Sequence, residues 1–212
     1  MSDRRCDRWA DRAGAPVRRI FLALLWATLL SAAAAHAEEL YSLDQRFGTI
    51  AFSVSYLGLF ASQGEFRRFD ARLVLDAGHP ERTRISVVID TASVDMPWQE
   101  AAAMLRGADF FDVKHYPEIR FTSTSVEAMP PDRYVVRGLV EIRGVKQPLL
   151  LNAQVVGRHP DPARGAEVAE FVVTGALQRS AFGMTTDAAF ISDKVNITIR
   201  ACIELGEKIS AG

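Results

Sequence analysis

The stretch DFFDVKHYPEIRFTSTSV, residues Asp109–Val126, holds the side chains of this sequence that are best suited to acid–base chemistry. Asp109 and Asp112 precede Lys114, His115 and Tyr116 within a few residues. A carboxylate that orients an imidazole can make that imidazole a general base. A catalytic role therefore has to be weighed against a purely structural one.

The local spacing favours the structural reading of this stretch. Pro117 requires an extended residue before it, and strand-like alternation starts only at Ile119, with Ser123 and Ser125 on the inward side. The polar groups are thus spread along an irregular connection, and we expect no base with a fixed partner. Aspartates in such a connection typically bond the turn backbone. We predict a helix exit that directs three rings inward: Phe110, Phe111 and Phe121.

Other catalytic and metal-binding patterns are absent from the sequence. It has no G-x-S-x-G, H-E-x-x-H or C-x-x-C motif, and no glycine-rich phosphate loop before a helix. The four histidines, at positions 36, 79, 115 and 159, are too scattered to suggest a metal site. We therefore predict a protein that is not an enzyme, with no catalytic residue, no metal and no cofactor.

Composition places the chain among ordinary globular proteins. It has 212 residues, a formal net charge of -1, 49% hydrophobic residues and 24% charged residues. This length fits one domain, or one domain with a targeting segment. No charge excess points to nucleic acid or to a membrane surface.

The N-terminal residues have the order of a secretory signal peptide. Six arginines lie before the apolar run Ile20–Ala35, and Ala35-His36-Ala37 is a small-residue exit. The apolar run is shorter than the roughly 18 residues of a spanning helix, which disfavours an uncleaved membrane anchor. We predict a signal peptide over 1–37, a mature domain over 38–212 and a periplasmic location. Arg18-Arg19 before Phe21-Leu22 leaves the twin-arginine route open beside the general one.

Cysteine use fits an exported chain without internal disulfides. Cys6 leaves with the predicted signal, so Cys202 is the one cysteine of the mature domain. We interpret it as a small strand residue.

Period-two alternation of apolar and polar residues dominates the mature chain. Stretches such as TIAFSVSY and KVNITIRACIEL have one apolar and one polar face, which is typical of strands buried on one side. Turn residues, including the breaker-rich stretch Gly157–Glu167, separate these runs. We predict eight strands, near 48–57, 64–76, 83–91, 118–127, 133–143, 147–157, 167–180 and 193–205.

One segment interrupts the alternation. Trp98–Arg106 contains three alanines, a methionine and a leucine, which favour a helix. Pro97 suits a first helical turn and Gly107 a helix end. Eight antiparallel strands with one apolar face can close into a barrel, which removes unpaired edges. We therefore predict an all-β, eight-stranded antiparallel barrel with one short inserted helix.

Several motifs, in order, resemble the YceI-like family of exported, lipocalin-like polyisoprenoid-binding proteins. They are GEFRRFDARLVLD, ISVVIDTASVD, LRGADFFDVKHYPEIRFTSTSV, GLVEIRGVKQPLLL and FGMTTDAAFISDKVNITI, and the likeness spans roughly residues 41 to 204. The resemblance implies an eight-stranded barrel with a helix after the third strand, holding a long isoprenoid chain or an isoprenoid quinone. Membrane contact for ligand exchange would follow; the oligomeric state stays open.

Two positions depart from the pattern of this family. Its first strand usually ends in His-Leu-Gly, where this chain has Tyr56-Leu57-Gly58, and its helix usually carries Arg-Asp-x-His-Leu, where this chain has Ala101–Leu105 with Met104 at the histidine. If these family residues contact a polar head group, this chain accepts a different or less charged one. Tyr56 can still donate one hydrogen bond, and Met104 is a flexible apolar contact.

The resemblance and the alternation together give a predicted ligand-binding face. A barrel of this size either fills itself or holds one small apolar ligand, so a filled structural barrel is an alternative. The other alternative is a periplasmic isomerase or hydrolase using Tyr56, His115 or an aspartate. The predicted ligand contacts are Phe52, Val54, Tyr56, Phe69, Val87, Met104, Leu105, Phe110, Phe121, Val136 and Phe182.

Overall fold

The computed structural model describes residues 39–43, 48–75, 79–161 and 166–205. All of them belong to one compact unit, Ala37–Gly212, and form one antiparallel sheet with one α-helix, α1 (Gln99–Arg106). Short 3₁₀ turns lie at Pro80–Arg82, Thr91–Ser93 and Arg179–Phe182. The strands are β1 (Glu39–Leu43), β2 (Gly48–Tyr56), β3 (Phe60–Phe66), β4 (Phe69–Leu75), β5 (Arg84–Asp90), β6 (Val94–Asp95), β7 (Glu118–Met129), β8 (Arg133–Ile142), β9 (Val145–Asp161), β10 (Ala166–Gln178) and β11 (Ile191–Leu205).

The strand order within the sheet is β1-β4-β5-β7-β8-β9-β10-β11-β2-β3-β6. From β7 to β11, strands that are consecutive in the sequence are also neighbours in the sheet, as expected for hairpin connections. One end of the curled sheet carries α1, the turn at residues 57–59, the turn at 143–144 and the loop 183–190. We call this end the helix end.

The first hairpin of the chain divides between the two margins of the sheet. β1 pairs with β4 through Leu43 and Ala71, while β2 pairs with β3 through Ile50 and Phe66. On one side of the sheet β4 also pairs with β5, and on the other side β2 also pairs with β11. The two halves of one hairpin therefore link both margins of the sheet through the chain itself.

The prediction of an antiparallel β-barrel with one inserted helix is confirmed, but the strand count differs. Eleven strands replace eight, because β1 and β6 were not predicted and the predicted strand 64–76 is divided at Arg67 and Arg68 into β3 and β4. The sheet margins β1 and β6 are not hydrogen-bonded to each other in the described residues. The architecture is thus a curled, open barrel rather than a closed ring of hydrogen bonds.

Two local predictions about strands are wrong. The breaker-rich stretch after Gly157 is not all loop, because β9 continues to Asp161 and pairs with β10. In β7 a bulge between Ser123 and Ser125 shifts the alternation, so Val126 is buried in place of Ser125. A bulge adds one residue on one strand, and every later side chain then changes face.

The helix lies where the sequence predicts it, and its first residue is Gln99. Trp98 is the N-cap, so Pro97 precedes the helix instead of lying in its first turn. Gly107 ends the helix and donates its N–H to the carbonyl of Met104. Ala102 is buried and Leu105 packs against the main core, so α1 lies against the end of the sheet.

Side-chain packing joins the two sides of the open sheet at the end away from the helix. Ala71 and Leu73 of β4 form one buried cluster with Ala201 and Ile203 of β11. These strands are not neighbours in the sheet. The barrel is therefore closed at this end by apolar contact, which is favourable in proportion to the area removed from water.

Candidate functional site

The inward face of the sheet is a continuous apolar surface. Strand register joins Val136, Leu151, Gly175, Ile197 and Phe52 in one row across β8, β9, β10, β11 and β2. A second row joins Tyr134, Ala153, Val173, Ile199 and Ile50 across the same strands. Because residues of one row share a face of the sheet, both rows lie against the interior of the barrel.

Burial differs between the central strands and the two sides of the sheet. On β7 to β9 the inward side chains other than the partly buried Tyr134 are buried, among them Phe121, Val126, Val136, Val140, Leu149 and Leu151. On the two sides the inward side chains near the end away from the helix are buried, among them Ile50, Ala71 and Ala201. The others are only partly buried: Phe69, Ile85, Val87 and Ile89 on β4 and β5, and Phe52, Val173, Leu177, Ile197 and Ile199 on β2, β10 and β11. The interior is thus well filled along the centre of the sheet and incompletely filled along its sides.

Three glycines leave space for large side chains on this inward face. A Cβ at Gly138 would come within 2.5 Å of the Phe121 ring, and a Cβ at Gly64 within 2.4 Å of the Phe52 ring. A Cβ at Gly175 would meet the Leu151 side chain at 2.6 Å. Each large side chain therefore lies over the bare backbone of the adjacent strand, an arrangement found where a sheet bends.

Aromatic and sulfur side chains fill the helix end of the barrel. Phe110, Phe182, Met184 and Val94 are all buried there, and Phe111 makes edge contacts with Phe66 and Phe52 at centroid distances of 5.5 and 6.5 Å. The prediction that the helix exit sends its rings inward is confirmed. This end is a packed plug that borders the incompletely filled sides.

The structure places the predicted ligand contacts in four different environments. Phe110 and Phe182 belong to the plug, and Phe121 and Val136 to the buried centre of the sheet. Phe52, Val54, Phe69, Val87 and Leu105 are partly buried on the inward side. Tyr56 and Met104 are exposed to 43% and 45%. Five of the predicted contacts thus lie on the incompletely filled part of the inward face, and ligand contact by all eleven residues stays a prediction.

Sequence reasoning missed part of this face. Val173 and Leu177 on β10, and Ile197 and Ile199 on β11, were not among the predicted contacts, although they are partly buried beside Phe52. The alternation of FVVTGALQR carried the signal: positions 171, 173, 175, 177 and 179 share one face. The same parity places Arg179 inward, which marks that arginine as unusual.

Arg179 is buried and its guanidinium donates only to backbone carbonyls. Nη1 donates to Met184 O at 2.9 Å and Thr186 O at 2.7 Å, while Nη2 donates to Ile191 O at 3.0 Å. Nε donates to Ser192 O at 3.2 Å. These bonds satisfy carbonyls of the loop that joins β10 to β11 and of the first two residues of β11, which would otherwise be costly to bury.

Two more arginines hold irregular segments at the helix end in the same way. Arg106 donates to the carbonyls of Ala92 and Val94, at 3.0 and 2.5 Å. Arg143 donates to the carbonyl of Phe110 at 2.9 Å. The three guanidinium groups are therefore engaged by the backbone, which reduces their capacity to bind an anionic head group.

The sequence prediction for His115 needs a correction. His115 Nδ1 lies 2.9 and 3.0 Å from the two carboxylate oxygens of Asp112, so the imidazole does have a fixed partner. Asp112 has a positive φ of 49°, and its carbonyl accepts the N–H groups of His115 and Tyr116. The imidazole is largely exposed, and the hydrogen bonds of the described residues bring no serine or cysteine to it.

Charged pairs shape the electrostatics around the site. The hydrogen bond from Arg67 lowers the pKa of Asp95 below its usual range. The Ser180 backbone N–H and hydroxyl donate to Asp193 and lower the pKa of that carboxyl. Partial burial, then the Glu170 carboxylate, raises the pKa of the Cys202 thiol. These shifts belong to structural pairs on the outer surface and the loop, not to the inward face.

In the described part of the chain, no three His, Cys, Asp or Glu side chains come together as a possible metal site. Over the same residues, no helix has both the length and the apolar character needed to cross a membrane.

Known proteins resemble this chain over most of its length. The model of the YceI-like domain matches residues 41–202. A UPF0312 protein of Shewanella baltica strain OS195 is 33% identical over 184 residues, covering 86% of this chain and 95% of the relative.

Two solved structures share the fold. The crystal structure of Burkholderia cenocepacia BcnA aligns with a TM-score of 0.68 at 22% identity, over 76% of this chain and 98% of that one. A polyisoprenoid binding domain from Saccharophagus degradans, implicated in plant cell wall breakdown, aligns with a TM-score of 0.56 at 15% identity, over 80% and 100%. The family model covers most of the chain, and the chain belongs to the YceI-like family.

Proposed function

We propose that this protein binds an isoprenoid lipid or isoprenoid quinone on the inward apolar face of the barrel, without catalysing a reaction, in the periplasm. The observation that carries the proposal is the partial burial of inward apolar side chains on β2, β10 and β11. A barrel that fills itself would bury them, as the central strands bury Val136 and Leu151. A long apolar chain would cover this surface, at about 0.8 kcal/mol per buried CH₂.

Family membership supports the class of ligand. The S. degradans domain that shares this fold is a polyisoprenoid binding domain, and the YceI-like model spans most of this chain. Burial of a chain on an apolar face also needs few polar contacts. The proposal therefore requires no catalytic group at the site.

The head group that best fits this chain is an uncharged one, such as a quinone. Arg106, Arg143 and Arg179 are engaged by backbone carbonyls. The positions of the usual family histidines hold Tyr56 and Met104, so neither can place a positive charge there. A phenol can donate one hydrogen bond to a quinone carbonyl.

Binding can be tested with one inward and one outward substitution. Val54→Asp places a carboxylate on the partly buried face, and we expect at least a roughly tenfold loss of affinity for a long-chain quinone, because an unpaired charge is costly in an apolar site. Leu150→Asp introduces a carboxylate at an exposed residue on the outer face of β9, and this variant should bind the quinone like the parent. Trp98 fluorescence and native mass spectrometry measure the complex.

Two further comparisons decide between the alternatives. Prenyl pyrophosphate of equal chain length should bind more weakly than the quinone, and Met104→Asp shows whether the exposed side of α1 joins the site. A parent protein that stays folded but binds neither lipid would favour the filled barrel. Turnover of a lipid ester or isomer that is lost in His115→Ala would favour the enzyme.

A further inference from the structure

The tip of the β2–β3 hairpin is an exposed apolar surface at the helix end. Leu59 and Phe60 are 80% and 65% exposed, and Tyr56 and Leu57 are about half exposed. Phe190 is also half exposed, and its carbonyl accepts the N–H of Leu57 at 2.7 Å. We call these five residues the apolar tip.

The hairpin that carries the apolar tip has no charge over a long stretch. Residues 47–64 contain no Asp, Glu, Lys, Arg or His. Other strands bear charges on their outward faces, for example Arg120, Arg137 and Glu141. Proteins usually place charge on exposed strands near a sheet margin to prevent association, so an uncharged hairpin here calls for an apolar environment.

The apolar tip is continuous with the proposed binding face. Ile50, Phe52, Val54 and Tyr56 alternate along β2 on the inward side, and their exposure rises from buried at Ile50 to about half at Tyr56. A path of apolar side chains therefore runs from the interior of the barrel to its outer margin. A lipid sliding along it would remain in apolar contact.

We propose that the apolar tip inserts into the interfacial region of a lipid bilayer, where the barrel takes up or releases its ligand. The inference rests on the proposed function, since a long-chain isoprenoid resides in membranes. Tyrosine, leucine and phenylalanine are the side chains that favour this interface. Four side chains at a narrow hairpin tip and one on the adjacent loop are few for a stable protein partner, which uses roughly 20 to 30 residues a side.

Vesicle flotation tests the contact directly. The protein used is residues 38–212, because Ala37–Gly212 is one compact unit and the buried core residues of the described part of the chain lie between Ile50 and Ile203. We expect this protein to float with phosphatidylcholine vesicles, with little change in 0.5 M salt, because salt screens charges and the tip has none. Leu59→Asp should lower the partition coefficient about tenfold, because a carboxylate is expelled from the bilayer.

Matched variants keep the test decisive. Leu150→Asp changes an exposed leucine on the outer face of β9 and should float like the parent. Phe60→Ser removes apolar area without adding charge and should give an intermediate loss. Circular dichroism of each variant establishes that the fold is retained.

Three outcomes would overturn the contact: no flotation of the parent, equal losses in Leu59→Asp and Leu150→Asp, or dimerisation through the apolar tip in sedimentation velocity. Quinone uptake from a detergent-free dispersion, without vesicles, is measured in parallel. A parent that takes up quinone but does not float refutes only the membrane contact. A parent that floats through the tip but takes up no quinone refutes the proposed ligand and leaves the membrane contact standing.

Discussion

Arg179 shows how one buried cation organises the loop between β10 and β11. The alternation of inward and outward side chains along β10 places the Arg179 side chain on the inward side, where a lone charge would be costly. The cost is offset because the guanidinium donates to the carbonyls of Met184, Thr186 and Ile191. The same loop is held from outside by Asp193, which accepts from Ser180. Residues with opposite charges thus fix the segment that carries Phe182 and Phe190.

Arg179→Met should destabilise the fold. The methionine fills similar apolar space but leaves buried carbonyls without donors, so we expect a loss of about 3 kcal/mol in the free energy of unfolding. Urea denaturation followed by circular dichroism measures it. Arg200→Met, on an exposed residue of β11, should change stability by less than about 0.5 kcal/mol. Equal effects of the two substitutions would show that the carbonyl bonds contribute nothing.

At the scale of elements, pairs of a glycine and a large side chain set the shape of the inward face. Phe121 lies over Gly138, Phe52 over Gly64 and Leu151 over Gly175. The ring or branched chain from one strand covers the backbone of the next, which holds the two strands close. The curvature that brings the two sides of the sheet around the interior depends on such contacts.

Gly138→Ala should destabilise β8 against β7. Its Cβ would lie 2.5 Å from both the Phe121 ring and the Thr122 carbonyl oxygen, and the latter is backbone that cannot move aside cheaply. We expect a loss of about 2 kcal/mol, as for other overpacked cores. Gly157→Ala is the control, because its Cβ would meet only the Glu170 side chain at 3.5 Å. A neutral Gly138→Ala, measured by thermal melting, would mean that Phe121 reorients freely.

At the scale of the whole molecule, the barrel is held together by three different means. Strand pairing links all strands of the sheet from β1 to β6, and the first hairpin connects the two margins along the chain. The contact of Ala71 and Leu73 with Ala201 and Ile203 joins β4 to β11 in space. Only the first is a hydrogen-bonded ladder. A sheet closed partly by side chains can open more readily than a fully bonded ring, and such opening would allow the exchange of the proposed ligand.

Export of the whole molecule is a separate prediction. The order of basic, apolar and small residues before Glu38 predicts cleavage after Ala37. N-terminal sequencing of the protein from the periplasm of a bacterial host should therefore begin at or near Glu38. A full-length product that fractionates with the inner membrane would contradict the cleavage.

The sequence by itself determined the class of fold, the site of the helix and most inward faces. Alternation is a local property of consecutive side chains, so Ile50, Leu149 and Leu151 could be assigned to the interior without any structure. The family was likewise recognisable from local motifs, and the family model confirms it.

Only the tertiary structure decided what depends on pairs that are distant in sequence. The bulge that turns Val126 inward follows from the register with β8, and the division of the first hairpin follows from pairing with β5 and β11. The Asp112–His115 contact occurs in a turn where Asp112 has a positive φ, which local spacing did not predict. The partial burial of Ile197 and Val173 could be predicted only from how far the sheet curls. Local patterns assign a residue to a face, but only the packing of remote strands decides whether that face is filled.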